Sequence, residues 1–148
     1  MRMIIQSRLI VFSDYECGQQ LQEHQKCCRQ SGRNYRMSIK GIYDIHCHIV
    51  PGVDDGATDI GETVKLLRME YEQGVRTVIA TPHFRFRMFE TPVEKVKEQF
   101  RLVEKAASEI SPDLHVYLGC EFHANMEMLP MLREQKVMTM AGSRYVLT

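Results

Sequence analysis

The residues of this sequence best suited to chemistry are histidines and acidic residues in three short segments. The first segment is the run DIHCH at 44–48, the second contains His83, and the third contains Glu121. Residues two apart in an extended strand point the same way, so His46 and His48 can converge on one metal ion. Imidazole and carboxylate ligands together favour Mn, Fe or Zn in a reactive site over a structural zinc held by thiolates.

Further acidic residues lie near the first segment. Asp44 precedes His46 by two residues, so it either shares that face or orients a histidine by hydrogen bonding. Asp54 and Asp55, followed by Gly56, add oxygen ligands a few residues later. A single histidine after a strand is usually structural. The metal hypothesis therefore depends on several ligands occupying equivalent places in the fold.

Each candidate segment lies at or just after the carboxyl end of a predicted strand. Apolar and β-branched runs predict strands at 41–45, 75–81 and 114–118, and a further strand is predicted to begin at 144–148. Helices are predicted between them, so the order is β-α-β-α-β-α-β. This order predicts an α/β fold with parallel strands and right-handed crossovers. Active groups in such folds lie at the carboxyl ends of the strands, where these ligands fall.

Capping signals predict where the helices begin. Asp59 is a predicted N-cap, Glu62 completes a capping box, and Gly74 ends the helix. A second capping box is predicted at 91–94, with proline at the first helical position, and a short helix at 126–133. The predicted apolar faces are Ile60, Val64, Leu67 and Tyr71 in the first helix, and Val93, Val96, Phe100, Val103, Ala107 and Ile110 in the second.

Composition indicates one ordinary domain of 148 residues with a formal net charge of zero. A nucleic-acid partner is not predicted, because the sequence has no excess of basic residues. Membrane insertion is not predicted either, because no apolar run is long enough to span a bilayer. The five cysteines are irregularly spaced, which favours reduced thiols and a cytoplasmic location. Residues 1–36 lack periodicity and are predicted to be a disordered or spurious extension before a domain at 37–148. Homo-oligomer formation is left open.

The runs DIHCHIVPGVDDGA, ATPHF and GCEFH resemble the PHP (polymerase and histidinol phosphatase) superfamily. They are most similar to its manganese-dependent protein-tyrosine phosphatases, which are encoded with bacterial capsule and exopolysaccharide genes. The resemblance implies the N-terminal part of a distorted (β/α)7 barrel holding about three metal ions. It implies no catalytic side chain beyond the metal ligands, which by motif match are His46, His48, Asp55, His83 and Glu121.

The resemblance also implies a reaction. Hydroxide on Mn²⁺, with Fe or Zn as alternatives, attacks phosphotyrosine on the tail of a tyrosine kinase that controls polysaccharide export. The family continues with a His-Pro-Glu-Arg segment and a later Asp-x-His, which supply further ligands. This sequence ends at Thr148 without them, so we expect a truncated chain holding only the first part of the site.

Two alternatives stay open at this point. One is a histidinol-phosphate phosphatase or another phosphoesterase, because the metal motif does not encode the organic half of the substrate. The other is a catalytically silent fragment. Cys27 and Arg33 formally match the C-x5-R loop of cysteine phosphatases, but no strand and helix flank them. Arg85 and Arg87 could contact phosphate or a phosphopeptide, but as loop arginines they are interpreted as solvated.

Overall fold

The computed structural model describes residues 10–12 and 41–148. They include the strands predicted at 41–45, 75–81 and 114–118 and the predicted helix after each of them, together with three short strands that the sequence did not predict. The elements are numbered here along the chain. The strands are β1 (Ile10–Phe12), β2 (Ile42–Cys47), β3 (Val75–Ala80), β4 (His83–Phe84), β5 (His115–Leu118) and β6 (Glu121–Phe122). The helices are α1 (Ile60–Glu72), α2 (Val93–Ile110) and α3 (Met128–Arg133), followed by a 3-10 turn at Met140–Gly142.

A four-stranded sheet in the order β1-β2-β3-β5 organises the molecule. β2, β3 and β5 are parallel, whereas β1 joins β2 antiparallel. β4 and β6 form a second, parallel pair beyond the carboxyl ends of β3 and β5. The α1 helix packs against β3 and the α2 helix, which in turn packs against β5. The predicted α/β architecture with parallel strands is confirmed.

The α1 helix begins as predicted, with one difference in its cap. The Asp59 carboxylate accepts a hydrogen bond from the Glu62 N–H at 3.0 Å. The Glu62 carboxylate, however, accepts from the Thr58 N–H and hydroxyl, so the reciprocal half of the predicted capping box is wrong. Gly74 has the positive φ of 98° expected after a helix end.

The buried face of α1 is rotated from the predicted one. Ile60 is 40% exposed, whereas Thr63 is fully buried beside Leu67. Thr63 tolerates burial because its hydroxyl is satisfied by the Ile49 carbonyl at 2.9 Å. A hydropathy pattern scores threonine as polar and therefore misplaces the centre of this face.

The second predicted capping box is wrong. The Thr91 hydroxyl donates to the Val53 carbonyl at 2.9 Å and ties the start of α2 to the loop after β2. Pro92 occupies the N-cap position without a side-chain hydrogen bond, and Val93 is the first helical residue. The predicted apolar face itself largely holds: the buried residues are Val96, Phe100, Val103, Ala106 and Ala107.

The remaining predictions concern the two ends of the chain. The strand predicted at 144–148 is present only as a single parallel bridge between Leu147 and Glu121. Of the predicted extension 1–36, only Ile10–Phe12 lies within the described residues, as β1; Cys27 and Arg33 lie outside them. No helix in the described part of the chain is long and apolar enough to cross a membrane.

Candidate metal centre

The candidate ligands meet where the parallel strands end. His46 is the penultimate residue of β2, and His48 directly follows that strand. His83 and Glu121 begin β4 and β6 and are register partners. Cys47 and Thr81 hold this edge together, because the Cys47 N–H donates to the Thr81 hydroxyl at 3.1 Å and the Thr81 N–H to the Cys47 carbonyl at 2.8 Å.

One carboxylate oxygen, Glu121 Oε2, lies at the centre of the cluster. Its distances are 2.9 Å to His46 Nε2, 3.1 Å to His48 Nε2 and 3.2 Å to His83 Nδ1. His46 Nε2 and His48 Nε2 are themselves 3.2 Å apart. The donor atoms of His46, His48 and Glu121 all lie within 4.8 Å of one another, close enough to share one metal ion. The four side chains are partly buried, so a ligand can still reach them.

Asp54 fixes the orientation of this cluster. Its carboxylate is fully buried, contacts His48 Nδ1 at 2.9 Å, and accepts from the N–H groups of His83 and Gly56. Burial opposes ionisation of Asp54, but the hydrogen bonds from His48 and the two backbone groups outweigh it and lower its pKa. Because Asp54 engages Nδ1, the His48 Nε2 atom is the one directed at Glu121.

The pKa of His48 responds in the opposite direction. Burial lowers it, but the hydrogen bond to Asp54 and the negative charges of Asp54, Glu121 and Asp55 outweigh burial and raise it. Nitrogen and carboxylate acceptors that converge on one point repel each other unless a proton or a metal ion lies between them. The donor set therefore fits a divalent metal with mixed nitrogen and oxygen ligands.

The structure separates the two neighbouring aspartates. Asp55 is 66% exposed at its side chain, and its Oδ1 atom lies 3.6 Å from His83 Nε2, on the outer side of the cluster. Asp54 instead lies inside the cluster. Asp44 is buried, and its Oδ1 atom accepts from the backbone N–H of His46 at 3.0 Å. It therefore orients the strand that carries His46.

Two contacts around the cluster escaped prediction. Gly56 lies against His48 so closely that a Cβ atom there would overlap the His48 carbonyl oxygen and Cβ. The Asp-Asp-Gly run could have indicated such a close approach. The Phe89 ring stacks on the His83 ring, with centroids 5.4 Å apart and planes at 14°. No sequence signal points to that contact, because it depends on the fold of the loop between β4 and α2.

Two cysteines lie within the described residues, Cys47 and Cys120, and both side chains are buried. Burial raises the pKa of Cys120 to about 12, so its thiol stays protonated at neutral pH. Thiolate chemistry is therefore not available from Cys120.

Comparison with known proteins places these features in a family. The family profile described as capsular polysaccharide synthesis, CpsB/CapC, matches residues 42–148. The chain is 43% identical over 106 residues to the tyrosine-protein phosphatase CpsB of Streptococcus pneumoniae, covering 72% of this chain and 44% of that protein. It is 33% identical to the tyrosine-protein phosphatase YwqE of Bacillus subtilis, covering 72% of this chain and 42% of the relative.

The fold agrees with a solved relative. A chain from the crystal structures of YwqE of Bacillus subtilis and CpsB of Streptococcus pneumoniae, described as unique metal-dependent tyrosine phosphatases, superposes with a TM-score of 0.65 at 32% identity. The match covers 71% of this chain and 42% of that one. The chain thus spans less than half the length of the relatives that it matches.

Proposed function

The chain belongs to the CpsB/CapC capsular polysaccharide synthesis family, and from this premise we propose that its metal centre serves a metal-dependent protein-tyrosine phosphatase. The observation that carries the proposal is the convergence of His46, His48 and His83 on one oxygen of Glu121. The relatives named as tyrosine phosphatases support the choice of phosphotyrosine over other phosphate esters.

The proposed metal ligands are His46, His48, Asp55, His83 and Glu121. Mn²⁺ is the proposed metal, in a cluster of about three ions. Bound metal ions supply Lewis-acid chemistry, generating a nucleophile from water at neutral pH and neutralising charge on the phosphate oxygens. Asp55 suits a ligand on the outer side because it is exposed next to His83.

The chain's own residues have distinct parts in this proposal. Asp54 holds the His48 ring and the backbone of His83 in place, and Asp44 holds the backbone of His46. Glu121 would hold metal together with the three imidazoles, because a single one of its oxygens approaches all of them. The reaction needs no nucleophilic side chain, in keeping with the buried, protonated Cys120 thiol.

The wider context is part of the same proposal. We assign the parallel sheet to a distorted (β/α)7 barrel of the PHP type, a fold consistent with the superposition on a solved relative. The proposed substrate is phosphotyrosine on a tyrosine kinase of capsule or exopolysaccharide synthesis. A cytoplasmic location is proposed as well, supported by the irregular spacing of the five cysteines in the sequence.

Phosphate release with added Mn²⁺ tests the proposal. Because the chain matches 44% of the pneumococcal relative, we would assay it both alone and as a chimaera in which residues 42–148 replace the matched segment of that relative. We expect the chimaera to release phosphate from a phosphotyrosine peptide. His46→Ala should reduce turnover at least tenfold, because even the loss of groups that orient metal ligands costs roughly 10–100-fold.

Two controls sharpen the assay. Arg101→Ala, on the exposed side of α2, should leave turnover unchanged. Histidinol phosphate serves as the competing substrate. Faster turnover of histidinol phosphate would replace the tyrosine-phosphatase proposal by the histidinol-phosphatase alternative, and a metal-loaded chimaera without turnover would contradict both.

A further inference from the structure

A short hairpin projects from the edge of the metal centre. Arg85 and Phe89 pair through two backbone hydrogen bonds, the N–H of each donating to the carbonyl of the other at 2.9 and 2.8 Å. Phe86, Arg87 and Met88 form the tip between them. We call residues 85–89 the rim hairpin.

The rim hairpin is physically continuous with the candidate metal ligands. Arg85 follows His83 by two residues, and the Phe89 ring stacks on the His83 ring. Arg87 is two residues from both Arg85 and Phe89, so its Cα lies at most about 7 Å from theirs. A molecule that reaches His83 therefore comes within reach of the tip.

The tip presents apolar and cationic groups together. Phe86 is 48% and Met88 58% exposed, an unusual concentration of apolar surface in a loop of this size. Arg85 contacts the Met88 sulfur at 3.6 Å, and Arg87 lies over the Phe86 ring at 5.3 Å. Within residues 10–12 and 41–148, no carboxylate lies within ion-pair distance of either guanidinium. Their positive charges are therefore available to an acidic ligand.

The backbone at the tip is strained. Arg87 has a φ of 62°, in the left-handed region that costs a residue with a Cβ roughly 1 kcal/mol and that glycine adopts freely. Three-residue hairpins commonly place glycine at such a position. Such backbone outliers cluster at binding and catalytic sites, which makes this arginine a candidate for a binding role.

We propose that the rim hairpin docks the peptide that surrounds the phosphotyrosine. Phe86 and Met88 contact apolar side chains beside the phosphotyrosine, and Arg87 pairs with an acidic side chain of the same peptide. This inference rests on the proposed function, because the phosphate group must bring the peptide to the metal centre. Selectivity for a peptide over a small phosphate ester then comes from the tip, which a small ester does not reach.

Peptide binding to the Mn²⁺-loaded, 148-residue chain tests the proposal. The probe is a fluorescent peptide with acidic and apolar residues around a non-hydrolysable phosphonate analogue of phosphotyrosine. Its tyrosine counterpart and the free phosphonate amino acid are measured in parallel. We expect Phe86→Ala to weaken binding of the phosphonate peptide about tenfold, as truncation of a central aromatic contact does. Binding of the free phosphonate amino acid should change less than about twofold.

Arg87→Gly separates docking from folding. Glycine relieves the left-handed strain, so the melting temperature should stay level or rise, while peptide binding should weaken about three- to fivefold and lose part of its salt dependence. Arg101→Ala and Leu102→Ala, both exposed on α2, are the matched controls and should bind as the parent chain does.

Three results would overturn the inference, and they differ in their consequence. Phosphonate-dependent peptide binding that both hairpin variants retain in full removes the docking role and leaves the proposed function standing. An equal loss for the peptide and the free amino acid shows that the hairpin shapes the metal centre only. Equal binding of the phosphonate and tyrosine peptides contradicts the proposed function itself.

Discussion

The charged side chains at the two ends of the parallel sheet differ in the partners that they find within the chain. At the amino end, Arg76 donates to Asp113 at 3.0 Å and to the carbonyls of Tyr71 and Val75, and its guanidinium lies 3.9 Å from the centre of the Tyr71 ring. Arg76 and Asp113 thus each have a partner of opposite charge within the chain. At the carboxyl end, three imidazoles surround one oxygen of Glu121, and no lysine or arginine within residues 10–12 and 41–148 pairs with it.

The difference separates stability from function. The interactions at the amino end are complete within the folded chain, whereas the carboxyl end gains further favourable energy when a cation binds. Substitutions at the two ends should therefore differ in one respect. Those at the carboxyl end should change metal affinity, with or without a change in stability, and those at the amino end should change the free energy of unfolding alone.

The largest expected effect is that of Glu121→Gln. The substitution removes the negative charge of the one carboxylate that contacts all three histidines, so Mn²⁺ affinity should fall by more than about 100-fold. The metal-free chain should keep or gain stability, because a buried cluster of acceptors loses part of its repulsion. Calorimetric titration with Mn²⁺ and thermal unfolding in a chelator measure the two quantities.

Asp113→Asn is the matched carboxylate control for that substitution. It removes an acidic charge at the amino end and should leave Mn²⁺ affinity unchanged. If Glu121→Gln lowered the stability of the metal-free chain by more than about 1 kcal/mol while Mn²⁺ affinity persisted, the cluster would be a structural network, and the contrast between the two ends would be lost.

The sequence was sufficient for the parallel sheet and for much of the site. β-branched runs such as Val75–Ala80 place a strand almost to the residue, and the strand-end position of His83 and Glu121 follows from that placement. The helix caps were less predictable. Thr91 looks like a local cap in sequence but donates to the carbonyl of Val53, and a distant partner of this kind leaves no local signal.

The roles of the two adjacent aspartates show the same limit. Asp54 and Asp55 are adjacent and of the same residue type, so no pattern decides which one is buried. The Ala57 N–H donates a hydrogen bond to the His48 carbonyl and closes a turn. This turn directs Asp54 inward and Asp55 outward. Matching the family motif selects Asp55 as a metal ligand, and only the folded loop identifies Asp54 as the residue that orients His48.

Asp54→Asn should have the second-largest effect. The amide cannot accept from His48 and the two backbone N–H groups as strongly as the carboxylate does, so His48 loses its fixed orientation. Mn²⁺ affinity should fall roughly 10–100-fold. The free energy of unfolding of the metal-free chain should fall by about 1–3 kcal/mol, the cost of weakening a buried network. Calorimetry and urea unfolding measure both.

The same variant has a pH signature. The lowered pKa of Asp54 contributes stability that is present above its ordinary value and lost as pH falls through the lowered one. The raised pKa of His48 contributes stability that is present below its ordinary value and lost as pH rises through the raised one. The deficit of Asp54→Asn should therefore be largest between roughly pH 4 and 6.5. A deficit that grew steadily above that window would contradict the pairing.

Arg76→Ala should have the smallest effect and should test the other side of the contrast. The ion pair itself contributes little because Asp113 is largely exposed, so most of the loss comes from the Tyr71 ring contact and the two carbonyl hydrogen bonds. We expect the free energy of unfolding, measured in urea, to fall by about 1 kcal/mol and the Mn²⁺ affinity to stay unchanged. Arg76→Lys should recover only part of the loss, because an ammonium group cannot reproduce the planar fork that reaches these partners at once. A change in Mn²⁺ affinity in either variant would mean that the two ends of the sheet are coupled.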